Sequence, residues 1–315
     1  ILSDKLATTI RKDLDMTAIN LEFHQAPGIA SAMVKALFLR RKGFNAKVGM
    51  PEINASWFGA QADQGALKEY CETLDIKMTD TLPVLYPHVM AGGMHMHMLT
   101  HKVFPIGLLG AVHLKNTITQ HKAIAIGDKM DIHAQMGGFR LTAKGVEFDF
   151  TTQVKIADEV VWEELSIYFM AGKFGGKENP STETSFELAS LDQMSDIASW
   201  SVPKNRGKKY ASISGDYNPI HTSKYLAKLF GFKRDIAHGF GILAQAVNQS
   251  ELANKTHISA GKCQVDVIFK GPLYLENDAS LKQAADAEDT SKNQRFDLFS
   301  GSNPKPSICA SLIAL

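Results

Sequence analysis

A chain of 315 residues is too long for one small core and implies two domains of about 150 residues each. Its 44% hydrophobic and 21% charged content is that of a globular protein and excludes a disordered one. Lys and Arg total 34 against 33 Asp and Glu, a net charge of +1 with neither basic stripe nor acidic tail, so nucleic acid is not the expected partner. A small molecule or a specific protein is. Cys71, Cys263 and Cys309 are odd in number and far apart, which argues for a reducing compartment rather than a disulfide framework. No window approaches the roughly 20 apolar residues of a membrane span. The opening ILSDKLATTI lacks the basic-then-apolar order of a signal peptide, and it lacks an initiator Met.

In chain order, the first fifty residues read as helical, with Met33, Leu37 and Phe38 at apolar spacing and Arg40, Arg41 and Lys42 as a solvated basic face. QGALKEYCETL, 64 to 74, predicts an amphipathic helix that TLPVLYP closes. From 111 to 171, AVHLKNTITQH, KMDIHAQM, VEFDFTTQVKIA and VVWEELSIYFMA predict antiparallel strands. GKFGGKENPSTETSF, 172 to 186, predicts a linker.

The second half repeats the order. Helical KNRGKKYASIS, SKYLAKLFGF and FGILAQAVNQSELA precede the strand-like GKCQVDVIF, ASLKQAADA, NQRFDLFSG and SICASLIAL. Apolar helices beginning near His88 and His238 lie 150 positions apart, each followed by strands. Helix first, then a run of strands, predicts an α+β unit occurring twice.

The densest stretch is SGDYNPIH, 214 to 221. Fully extended, the segment from Asp216 to His221 would span up to about 17 Å, too far for both side chains to hold one water. Three residues can shorten it: Gly215 permits a sharp exit from a helix, Pro219 keeps Asn218 out of the helical region, and Asn218 can bond back to the local backbone. A carboxylate and an imidazole folded into one cleft make a general acid/base pair. The alternative is a surface turn with an incidental histidine.

GDYNPIH, followed by AHGFGILA at 237 to 244, resembles the signature of MaoC-like (R)-specific enoyl-thioester hydratases. VIFKGPLY at 267 to 274 is similar to that family's Phe-x-x-Pro strand, and TLPVLYPHVMAG and FPIGLLGAVHLKN resemble its two-repeat members. The resemblance implies a double hot-dog: two repeats, each a long central helix wrapped by a curved antiparallel sheet. It places a degenerate repeat at 1–175, a linker at 176–190 and a catalytic domain at 191–315. It further implies Asp216 and His221 as the catalytic pair, Asn218 as their supporting turn, Gly239 as oxyanion donor and Phe269 as a substrate contact.

The implied reaction is hydration of trans-2-enoyl thioesters or dehydration of (3R)-hydroxyacyl thioesters, carried on CoA or on an acyl carrier protein. It implies no cofactor, no metal, a pseudo-dimer within one chain that could itself pair as a homodimer, and a cytoplasmic setting. The competing readings are a hot-dog thioesterase and a non-catalytic acyl-thioester binder. A count of 150 positions back from Asp216 and His221 reaches Ala66 and Cys71, so one site per chain is expected.

Other signals weigh less. MHMHMLTH, 94 to 101, spaces His97 and His101 for a metal but lacks a completing Cys or carboxylate. GFGILA matches a dinucleotide fingerprint without the strand and distal acid that motif needs, so helix packing explains its glycines better. Gly92 and Gly93, flanked by Met90, Met94, Met96 and Met98, are expected either to open room for a long acyl chain or to pack the repeat's own core.

Overall fold

Period-two burial builds most of this chain. In Val112–Gln120, Leu114, Asn116, Ile118 and Gln120 are buried while their neighbours are not. The structure, a computed structural model, describes residues 18–29, 41–107, 111–176, 193–284 and 291–315. The strands, in chain order, are β1 (Ile19–Phe23), β2 (Ile53–Ala60), β3 (Val112–Gln120), β4 (Met130–Leu141), β5 (Gly145–Ile156), β6 (Glu159–Ala171), β7 (Met194–Val202), β8 (Cys263–Phe269), β9 (Asn277–Ala284), β10 (Asn293–Ser300) and β11 (Ile308–Ala314). They form one sheet in the order β1-β2-β4-β5-β6-β3-β8-β11-β10-β9-β7.

That order is the same path walked twice. β2-β4-β5-β6-β3 corresponds to β7-β9-β10-β11-β8, and the halves join where β3 lies antiparallel to β8. At the centre of that ladder Thr117 stands opposite Asp266, and its hydroxyl donates to the carboxylate at 2.6 Å. Each half covers its inner face with one buried helix: α2 (Tyr86–Thr100) packs on β2, β4 and β5, and α6 (Gly239–Asn254) on β7, β10 and β11. Most residues of both helices are buried, ten in each. The architecture is α+β, a double hot-dog.

Shorter helices bridge the halves. α1 (Gln64–Leu74) packs on α3 (Arg206–Ser214) and on α6, while α4 (Pro219–Thr222) and α5 (Lys224–Leu229) follow α3. Tyr70 stacks edge-on to Tyr86 at 5.0 Å and reaches Tyr210 at 6.4 Å, so one aromatic cluster spans both repeats. All three cysteines are buried thiols. Among the described residues no helix is long and apolar enough to cross a membrane.

Three expectations need correction. Ile19–Phe23 is a strand pairing parallel with β2, not helix, because its Ile, Leu and Phe side chains add one more row to the sheet. Arg41 is no solvated cation: its guanidinium donates to the carbonyls of Leu99, His101 and Phe104 at 2.7–2.9 Å, satisfying the C-terminal end of α2. TLPVLYP does not close α1, which ends at Asp75 in left-handed conformation; Pro87 instead lies in the first turn of α2. The strands β2 and β7 escape the pattern reading altogether. Met33, Leu37, Phe38 and Arg40, and the linker beyond Gly176, lie outside the described residues.

Candidate active site

The segment between α3 and α6 folds as its residue types dictate. Gly215 caps α3 at φ +72°, a conformation that L side chains rarely adopt. The Asp216 carboxylate then receives the Asn218 N–H on Oδ1 at 3.1 Å. Asn218 is extended before Pro219, and its own Oδ1 accepts the Ile220 N–H at 3.3 Å, capping α4. This short turn carries His221 back toward Asp216. Oδ1 is anchored, which leaves Oδ2 to face the imidazole.

His221 is buried, and its Nδ1–H donates to the Ile236 carbonyl at 2.9 Å. That bond fixes the tautomer: Nε2 is the bare nitrogen, 3.8 Å from Asp216 Oδ2. A water placed about 2.8 Å from both atoms would subtend about 85°, close enough to its own bond angle to donate to each. The Asp216 carboxyl loses solvation by burial, but the neighbouring His238 and His221 outweigh this and hold it below the ordinary carboxylate range.

His238, absent from the sequence-based site, supports both partners. Its Nε2–H donates to the Asp216 carbonyl at 2.8 Å, its ring stacks on His221 at 3.8 Å, and burial lowers its basicity. It is also the N-cap of α6 and makes no side-chain capping bond. Gly239 is the first residue of that helix, so its N–H has no intrahelical acceptor. A Cβ on Gly239 would lie 2.8 Å from the Phe269 ring, so glycine is what allows this ring to close over the helix terminus.

These groups open on one cavity of about 440 Å³, within the size range of small-ligand sites. Asp216, Asn218, His221, Gly239 and Phe269 all line it. The N-terminal repeat supplies much of the remaining wall, including Val89, Met96, Leu99 and Phe104, with His88, His95, His113 and Tyr168. No spacing in the sequence marks those histidines and Glu164 behind them as one group, since they come from three separate elements.

The other candidate signals resolve differently. His95 bonds Thr152, His97 the Gly28 carbonyl and His101 its neighbour Val103, so MHMHMLTH converges on no common point. Asp216, His221 and His238 do place potential ligand atoms within 4.8 Å of one another. His238 Nε2 already donates to the Asp216 carbonyl, so that nitrogen is not free to ligate a metal beside Asp216 and His221. Gly241 packs against the Tyr210 ring, as helix packing requires. The N-terminal repeat has only residues 75–85 between α1 and α2, where the C-terminal repeat has 215–238, so it lacks the segment that carries the pair. Ala66 and Cys71 lie inside α1 and are not the structural counterparts of Asp216 and His221.

Residues 181–297 match the MaoC like domain family. The matched stretch lies within the C-terminal half. The chain is also 28% identical over 221 residues to 3-hydroxyacyl-thioester dehydratase X of Mycobacterium tuberculosis, covering 70% of this chain and 75% of that protein. The solved structure of HtdX from the same organism superposes with a TM-score of 0.69 at 22% identity, over 83% of this chain and all of that one. A second M. tuberculosis protein with a double hot-dog fold superposes at 0.55 with 9% identity, over 86% and 97% of the two chains. The matched region holds the whole GDYNPIH segment, and the N-terminal repeat joins it through the β3–β8 ladder as a pseudo-dimer.

Proposed function

We propose that this protein adds water reversibly to trans-2-enoyl thioesters, and in reverse dehydrates 3-hydroxyacyl thioesters of the (3R) series. One observation carries the reading: Asp216 Oδ2 and His221 Nε2, 3.8 Å apart, face a cavity that also contains the N-terminus of α6. In the hydration direction the water oxygen bonds to C3, and one water proton passes to the Asp216/His221 pair. The C2–C3 π electrons move toward the thioester, whose oxygen gains negative charge beside the Gly239 N–H. The pair returns a proton to C2 and the carbonyl re-forms. Asp216 enters this cycle ionised, consistent with its lowered pKa. The reaction draws on no redox or group-transfer partner, and the family relationship and the M. tuberculosis dehydratase point the same way.

The deciding assay follows enoyl absorbance and free thiol together, with crotonyl-CoA and longer 2-enoyl-CoAs and with the same acyl groups on an acyl carrier protein. Loss of the enoyl band without thiol release is expected, with the (3R)-alcohol as product. Thiol release would establish a thioesterase instead, and binding with neither change a carrier-binding protein.

A further inference from the structure

The N-terminal repeat contains a polar cluster that its fold does not need. Glu164 Oε1 accepts three donors: His88 Nδ1 at 2.6 Å, Ser166 Oγ at 2.7 Å, and the Asn116 amide. The carboxylate is fully buried beneath α2 and the sheet. The C-terminal repeat provides the control. The β3–β8 ladder turns about Thr117 and Asp266, so Asn116 corresponds to Val265, and Ile118 to Val267. Opposite them in the next strand, Ser166 and Glu164 correspond to Leu312 and Ala310. The same floor is therefore wholly apolar in one repeat and holds a charge in the other. Burying that charge costs stability that an apolar floor would not.

The cluster reaches the cavity through its histidines. His88 lies flat against Phe240 at 3.6 Å and lines the cavity, as do His95 and His113. His113 is held in an aromatic stack with Tyr168 at 4.5 Å and Phe269 at 5.1 Å. Its ring makes one bond to the Lys115 backbone, while Nε2 is buried with no partner. Asn116 Oδ1 and Glu164 Oε2, behind it, are likewise buried and unpartnered. Of these three, only His113 lines the cavity, and its bare Nε2 calls for a donor that an acyl chain of hydrocarbon alone does not offer. A carboxylate on the chain is disfavoured, because Glu164 and Asp216 already place negative charge around the site.

We propose that the cavity takes acyl thioesters whose chain carries a hydroxyl group beyond C3, and that this hydroxyl donates to His113 Nε2. The proposal rests on the acyl-thioester reading above but not on turnover. An N–H donor of the carrier arm offers the same chemistry. The enclosed position of Nε2, on a ring packed among Tyr168, Phe240 and Phe269, favours the acyl chain.

The test is calorimetric binding of saturated acyl-CoAs of one length, either plain or with a single hydroxyl walked from C5 outward, to wild-type protein and to His113→Phe. Phenylalanine keeps the aromatic stack and removes the acceptor. At one hydroxyl position wild-type affinity should exceed that for the plain chain by about tenfold. His113→Phe should abolish this gain, bringing the affinities for the hydroxylated and the plain chain to the same value. A wild-type protein that binds every hydroxylated isomer no better than the plain chain overturns the proposal, whatever the variant does. Equal weakening of plain and hydroxylated ligands in the variant assigns His113 to the carrier arm and also overturns it. Because binding is read directly, a protein that shows the hydroxyl preference yet hydrates no enoyl thioester would sink the catalytic reading and leave this one standing.

Discussion

At the scale of single residues, the site depends on which atoms of Asp216 and His221 are left free. Asn218 occupies one carboxylate oxygen and Ile236 one ring nitrogen, so only Oδ2 and Nε2 remain for a water. Asp216→Asn replaces an acceptor with an amide, and His221→Ala removes the imidazole. Each should lower kcat by roughly 10²–10⁴ with the circular dichroism spectrum unchanged, and the double variant should be no slower than the worse single. Near-normal turnover in either single variant would remove the pair from the mechanism. The turn was legible in the sequence because its parts are local: a left-handed glycine, an Asx bond and a proline act within six residues. His238 was legible only as part of a helix opening. Its bond to the Asp216 carbonyl joins positions 22 apart, which no spacing rule exposes.

At the scale of elements, α2 divides the two roles expected of Gly92 and Gly93, because Gly92 lines the cavity and Gly93 does not. A Cβ on Gly92 would meet the Ser214 carbonyl at 3.3 Å, and one on Gly93 would overlap the Pro27 backbone. These glycines let α2 approach its neighbours, and Met94 and Met98 are core. Met96 and Leu99 do line the cavity, so Met96→Trp is the better probe. It should depress kcat/KM for long enoyl thioesters while sparing crotonyl-CoA, and an equal loss at all lengths would place the acyl chain elsewhere. The Glu164 network makes its own prediction. His88→Ala leaves the buried Glu164 carboxylate without one of its three hydrogen-bond donors and should cost about 1–3 kcal/mol in urea unfolding. The triple change Asn116→Val, Glu164→Ala and Ser166→Leu copies the floor of the C-terminal repeat. It should be neutral or stabilising by about 1–4 kcal/mol, and a strong loss would mean the cluster is structural. The strand alternation already turned Glu164 inward beside Trp162 and Ser166. Its partners in α2 and β3 are distant in sequence and could not be read.

At the scale of the whole molecule, the doubled order of helix and strands was legible, because each repeat encodes its own pattern locally. The fusion of both sheets through β3 and β8 was not, since pairing strands about 150 residues apart is decided by tertiary packing. The same fusion encloses a set of neutral histidines, and this makes stability depend on pH. Burial pushes His95 down to about 4 and His113 to about 3, and it lowers His238 in the same way. An unfolded histidine takes up its proton near pH 6.5, while these folded ones do not until well below it. The unfolded state therefore binds more protons throughout that window, so stability is fully present above about pH 6.5 and falls as the pH drops toward 4. Each such imidazole contributes a slope of up to about 1.4 kcal/mol per pH unit, and three together about 4. Against a total stability on the order of 5–15 kcal/mol, a drop of two units removes a large share of the total. Thermal unfolding from pH 8 to pH 4.5 should show Tm nearly flat above pH 7 and falling steeply below pH 6. Replacing one of the three, by His113→Phe, should make the descent shallower by about a third. A Tm that stays level down to pH 5 would mean that these rings are solvated and protonated in the folded state, contrary to the enclosed cavity wall described above.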